Sequence, residues 1–282
     1  MDSKRPFKSD LVLREQLSEV TLRAYHVGFE ENKFRLQPLV DIIRSVNPEL
    51  ALGYYAGEKI PLTEMVEKLK EAAETVYTTE KYQRRGEFGE LILHLLLRDF
   101  CKTIPLVSKI YFKDSHNVTI HGFDGVQVTI EKEEKKLWLG ESKLYIDGTK
   151  GVKDLAEDLM KHIEADYLRR EFVLLSRKLP KNVPDREYWL ELMDKHQTLE
   201  NIYSNIVIPM VCTYSSKIFE NHQLETQKYI EEFEEECKKL WKIFNTKSIK
   251  TSVDVILMLL PVPNKDELNC ELHKRLKAMQ NV

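Results

Sequence analysis

Glu141 and Lys143 stand two residues apart in LWLGESKLY, residues 137–145, a run that is otherwise mostly apolar and aromatic. The spacing Glu-x-Lys also starts at Glu31, Glu133, Glu134 and Glu236, where the neighbouring residues are polar. Side chains alternate along a strand, so Leu137, Leu139, Glu141, Lys143 and Tyr145 share one face. A carboxylate and an ammonium side by side there can be an exposed ion pair, worth about 0–1 kcal/mol. They can also form half of a hydrolytic site. The carboxylate would then ligate a divalent cation, and the ammonium would orient or deprotonate a water and offset charge on a phosphate.

Two further carboxylates favour the second alternative. In HGFDGVQVTI, Asp124 alternates onto one face with Val126, Val128 and Ile130. Burying a carboxylate there is costly unless a cation or hydrogen-bond donors satisfy it. The polar stretch EKEEKK between the two runs predicts a hairpin, which would set Asp124 beside Glu141. Two close carboxylates repel unless a cation lies between them, and hard oxygen donors suit Mg²⁺ or Mn²⁺. The competing reading of Asp124 is a turn residue between Gly122 and Gly125. The third carboxylate is Glu90, in the apolar run GEFGELILHLLLRDF. Glu87, Glu90 and His94 form one polar stripe at helical spacing, and Gly86 and Gly89 would admit a close neighbour. Glu87 is the rival for the role of Glu90, and either can simply face solvent. His94 reads as a satisfied core histidine, and His121 and Tyr145 as pocket neighbours.

The elements that must hold these groups are legible in part. Residues 86–100 predict a buried helix, and runs near 107–113, 122–131 and 136–146 predict strands. A helix over 148–168, a strand at EFVLLS (171–176) and a helix around 183–196 follow. NIVIPMVCTY (205–214) predicts a strand that Pro209 would confine to an edge or a bulge. A long helix ends near Phe244, a strand covers 252–261, and Asn264 is placed to cap a helix over 265–280. The order predicts an α/β or α+β fold with one central mixed sheet. Residues 1–80 read as an N-terminal region packed on the core, and residues 81–282 as the site-bearing domain.

The ordered set of Glu90 on a helix, Asp124 on the second strand, and Glu141 with Lys143 on the third resembles the PD-(D/E)xK nuclease superfamily. Phe123 stands where that motif has proline. More closely, RRGEFGELILHLLLRDF, YFKDS, HGFDGVQV and LWLGESKLY resemble the HamA family, nuclease subunits of the Hachiman anti-phage defence system of bacteria. The likeness is strongest over roughly residues 80–180. It implies a restriction-endonuclease-like core and a Mg²⁺-dependent endo- or exodeoxyribonuclease, with a HamB-like helicase partner and DNA as substrate. By the same resemblance Asp124, Glu141 and Glu90 are metal ligands, joined by the carbonyl of residue 142. Lys143 completes the catalytic set. A non-catalytic adaptor of a helicase and an RNA-cleaving nuclease remain the alternatives.

Composition limits the remaining possibilities. The chain has 282 residues, 42% hydrophobic and 32% charged, with a net charge of −3. That fits a globular protein whose overall field does not attract polyanions. Contact with nucleic acid must then come from a local patch or a partner. Lys150, Lys153, Lys161, Arg169, Arg170, Arg177, Lys178 and Lys181 are the candidates. The four cysteines form no CxxC pair, the N-terminus lacks an apolar leader, and no apolar run approaches about 18 residues. The expected location is cytoplasmic.

Overall fold

The structure, a computed structural model, describes residues 9–52, 61, 63–76, 86–108, 122–131, 134–181, 183–247 and 251–281. After a short 3-10 turn the chain forms strands β1 (Arg14–Ser18) and β2 (Leu22–His26). A small hairpin follows, β3 (Phe29–Glu30) and β4 (Lys33–Phe34), whose turn residues Glu31 and Asn32 both have positive φ. Four helices come next: α1 (Leu36–Ser45), α2 (Asn47–Leu52), α3 (Met65–Val76) and α4 (Glu87–Phe100). The middle of the chain supplies β5 (Ile104–Ser108), β6 (Gly125–Glu131) and β7 (Glu134–Tyr145). Helices α5 (Gly148–His162), α6 (Ala165–Lys178), α7 (Arg186–Leu192) and α8 (Leu199–Ile202) lead to β8 (Ile206–Ser215). The last elements are α9 (Ile218–Asn221), α10 (Gln227–Phe244), β9 (Asp254–Val262) and α11 (Lys265–Gln280).

Seven strands form one mixed sheet in the order β1-β2-β9-β8-β7-β6-β5. β5, β6 and β7 are antiparallel neighbours, whereas β7, β8, β9 and β2 run parallel. Helices cover both faces. On one, α5, α6 and α10 contribute Leu155, Leu159, Phe172, Phe233 and Leu240. On the other, α1, α4 and α11 contribute Leu39, Ile43, Leu91, Leu96, Leu268 and Leu272. Burial on both faces explains why β8 and β9 are nearly unbroken apolar runs.

The expected central mixed sheet flanked by helices is present, and so are the buried helix, the hairpin and the last helix. Asn264 caps that helix by accepting from the amides of Asp266 and Glu267. Four expectations need correction. EFVLLS lies inside α6, because a short apolar run fits a buried helix as well as a strand. Leu168, Phe172 and Leu175 are buried at helical spacing. The helix expected over 148–168 is two helices, α5 ending at His162 and α6 starting at Ala165. Pro209 lies in the central strand β8 rather than at an edge. The β7–β8 partners run Leu137↔Ile206 and Trp138↔Val207, then resume at Glu141↔Met210. The break spans Gly140 and Pro209, so the missing proline N–H falls where the ladder is already interrupted. The strand expected near 107–113 begins earlier, at Ile104, and residues 109–121 lie outside the described residues.

Candidate active site

The hairpin of β6 and β7 sets the register of the site. Gly125 pairs with Gly140, Val126 with Leu139, Gln127 with Trp138 and Val128 with Leu137. Both glycines face α4. A Cβ built on Gly140 would lie 2.8 Å from Leu93 Cδ2, and one on Gly125 would lie 3.2 Å from the same atom. Helix α4 can approach the hairpin this closely because neither position has a side chain. Alternation then turns Glu141 and Lys143 to the α5 face, where Leu137, Leu139 and Val126 pack, and Ser142 to the α4 face.

Asp124 lies one position before β6. Its Oδ2 accepts from the Ser142 amide at 3.0 Å and the Ser142 hydroxyl at 2.9 Å. The carboxylate therefore takes the place of the strand partner that β7 lacks beyond Gly140. Continuing the register of Gly125 and Gly140 by one residue sets Asp124 opposite Glu141. Gly89 backs the arrangement from α4, with its built Cβ 2.8 Å from Ser142 Oγ. Gly86 has no such neighbour.

On the α5 face, Lys143 Nζ lies 3.2 Å from Glu141 Oε1 and 2.6 Å from Asp158 Oδ2. Burial works against a charged ammonium. Glu141, Asp158 and Asp124 outweigh it and hold Lys143 above its ordinary pKa. Asp158 is opposed by burial too, yet Lys143 and Lys161 hold its carboxyl below the usual range. His162 Nδ1 lies 3.9 Å from Glu141 Oε2. The His162 ring stacks on Tyr167 at 4.7 Å and meets Phe123 edge-on at 4.7 Å. Burial, then Glu171, Glu141, Asp158 and Asp124, raise Tyr167 and keep its hydroxyl protonated. Glu171 is buried on α6, its Oε2 2.8 Å from a Cβ built on Gly122.

Glu90 is buried on α4, while Glu87 is half-exposed. His94, one turn further along, meets Gln127 at 3.1 Å. Its Nε2 lies 3.5 Å from Glu49 Oε1, and burial and Arg98 lower its pKa to about 3. Along α4, Leu93 covers Gly140 and Gly89 covers Ser142. The same one-turn step carries the polar stripe from His94 at Gln127 to Glu90, towards the Asp124 end of β6. Glu90 thus approaches from the α4 face, whereas Glu141 and Lys143 look toward α5.

The structure brings Asp124 to Ser142, and Glu141 to Lys143. Among the described residues, no group of three or more His, Cys, Asp and Glu gathers at metal-binding spacing, so Glu90 is not drawn into one cage with Asp124 and Glu141. The hard donors here are the two buried carboxylates of Asp124 and Glu141. Such a set suits Mg²⁺ or Mn²⁺, which keep several waters and take one or two carboxylates, and does not suit a fully protein-ligated ion. Tyr145 donates to Asp154 at 2.7 Å, and His121 lies outside the described residues. Of the basic candidates, Arg169 donates to the carbonyls of Lys195 and Gln197, and Arg170 to that of Asp166. Both are engaged within the fold. Asp158, His162, Tyr167 and Glu171 were not expected. Their one sequence signal is that Asp158 and His162, four apart, flank the apolar stripe of Leu155 and Leu159.

A mixed sheet with helices on both faces, bearing Asp on one hairpin arm and Glu-x-Lys on the other, defines an α/β protein with a carboxylate–lysine site. A sequence model of the HamA family matches residues 5–276, and the chain belongs to that family. Membership points to a Hachiman defence component. No curated protein matches the chain. Among the described residues, no helix is long and apolar enough to cross a membrane.

Proposed function

We propose that the protein is a Mg²⁺- or Mn²⁺-dependent nuclease of anti-phage defence, cleaving DNA phosphodiester bonds together with a HamB-like helicase. The observation that carries this reading is that Asp124 docks on Ser142, the residue between Glu141 and its ion-paired Lys143. Asp124 and Glu141 would hold the cation with the Ser142 carbonyl. When bound, such a cation supplies Lewis acidity and offsets phosphate charge. Asp124 is preorganised for this task, since two donors from Ser142 fix one of its oxygens.

Lys143, ion-paired with Glu141 and Asp158, would position or activate the attacking water and balance phosphate charge. Glu90 would act from the α4 face, holding a water or a second cation near Asp124. The net charge of −3 supports delivery of DNA by a partner. The test mixes the chain with its helicase partner, linear duplex DNA and Mg²⁺. Wild type is expected to cleave, and Glu141→Ala/Lys143→Ala to lose cleavage while still binding the partner. Equal cleavage by the two would end the catalytic reading and leave the adaptor.

A further inference from the structure

Helix α5 meets both residues of the Glu-x-Lys strand with two side chains of its own. Lys143 contacts Asp158 at 2.6 Å, and Glu141 lies 3.9 Å from His162. The earlier strand residue meets the later helix residue, so α5 runs antiparallel to β7. The two repeats match in length. Two residues of strand advance about 6.7 Å, and four residues of helix advance about 6.0 Å. A pair spaced i, i+2 on β7 can therefore be read by a pair spaced i, i+4 on α5. Leu155 and Leu159 anchor α5 in the core beside this pair, and Asp147 caps its start by accepting from Thr149 and Lys150. The helix is fixed in rotation and in register, so Asp158 is held at a set point above the strand.

We infer that Asp158 is a positioning residue for Lys143, setting where the ammonium stands relative to Glu141 by holding it from the opposite side. The contact to Asp158 is shorter than that to Glu141, 2.6 Å against 3.2 Å. Lys143 thus donates to Glu141 Oε1 while its shorter contact, to Asp158, draws the ammonium towards α5. The buried flank of the clamp is the ring set of Phe123, His162 and Tyr167, which fixes His162 on the Glu141 side. Asp158 touches neither substrate nor cation in this scheme and acts through Lys143 alone.

The inference rests on the nuclease reading for its consequence and on geometry for its substance, and the test separates the two. Asp158→Asn keeps the shape and removes the charge, and Asp158→Glu restores the charge. A proton–nitrogen correlation of the lysine ammonium groups, in the whole chain labelled at lysine, reads the position directly. Wild type is expected to show a slowly exchanging Lys143 ammonium, assigned by its loss in Lys143→Gln. That signal should vanish in Asp158→Asn and persist in Asp158→Glu. In cleavage of linear duplex DNA with the helicase partner and Mg²⁺, Asp158→Asn should lower kcat about 10- to 100-fold, as expected for a slightly misplaced group. KM and the unfolding midpoint should hold, and Asp158→Glu should recover much of the rate. An Asp158→Asn protein that keeps the ammonium signal or cleaves like wild type overturns the inference. So does one in which kcat, KM and unfolding midpoint all worsen together, because that is a structural role. If wild type does not cleave at all, the nuclease reading fails and the nitrogen signal alone decides the role of Asp158.

Discussion

Asp124 serves two ends with one carboxylate. It closes the open edge of β7 at Ser142, and it brings a carboxylate to the residue between Glu141 and Lys143. The first role is measurable without any cation. Replacing it with alanine leaves the buried Ser142 amide without its acceptor, which costs about 1–3 kcal/mol. Asp124→Asn keeps an oxygen in place and should lose clearly less in urea unfolding, although both variants should lose cleavage. Equal losses of stability would mean that the side chain does not cap the strand. His94 allows a second test. In the folded chain it stays neutral down to about 3, whereas its ordinary value is 6.5. Between those values the unfolded chain takes up the proton and the folded chain does not, so stability falls as pH falls. Glu49, raised by burial, works in the opposite direction. The fall between pH 7 and about 4.5 should therefore be steeper in wild type than in His94→Gln. Parallel pH profiles would show that His94 is not buried neutral. Strand alternation made Asp124, Glu141 and Lys143 readable from the residues. Asp158 and His162 were not readable, because local spacing does not specify how a helix docks on a strand.

The hairpin and α4 together form the element that must not slip. A one-residue shift in β7 would turn Glu141 and Lys143 to the α4 side. Gly140 and Leu93 guard against it by close packing, the built Cβ lying 2.8 Å and 2.9 Å from the two leucine methyls. Gly140→Ala is expected to cost about 1–3 kcal/mol through overpacking. Leu93→Ala alone should cost about 2–5 kcal/mol through the cavity it leaves. The double variant should lose less than the sum, since the new methyl occupies the space that Leu93 vacates. Additive losses in urea unfolding would place the two side chains apart. The helix at 86–100 and the hairpin were legible because their patterns are long. EFVLLS was not, because four consecutive apolar residues carry no decisive period. Pro209 misled for another reason: the rule that keeps proline at edges assumes an intact ladder on both sides, and here the pairing with β7 is interrupted at Pro209 while that with β9 continues.

At the scale of the whole molecule, an early strand of the chain pairs with the last strand of the sheet. Leu22 pairs with Leu257 and Ala24 with Leu259, so β2 covers the edge of β9. Both members of each pair are fully buried. A chain lacking residues 1–27 would expose that edge, and an uncovered apolar edge promotes association between chains. The expected outcome is a shortened protein that aggregates or loses its cooperative unfolding. A soluble monomer with the wild-type midpoint would overturn this view of the sheet. Such pairing was invisible in the sequence, where residues 14–26 show little alternation and nothing marks β9 as their neighbour.

That pairing also has a consequence in time. β2 must wait for β9, which is made much later, before it has its second neighbour in the sheet. Contacts so distant along the chain are slow to form, and the early hairpin is a candidate for assistance or misassembly in the interval. Glu141 and Lys143 emerge from the ribosome well before β8 and β9 have been added beside their strand. The carboxylate–lysine site therefore becomes rigid only after β8 and β9 have joined the sheet, so a nascent chain carries Glu141 and Lys143 before it has the framework that fixes them.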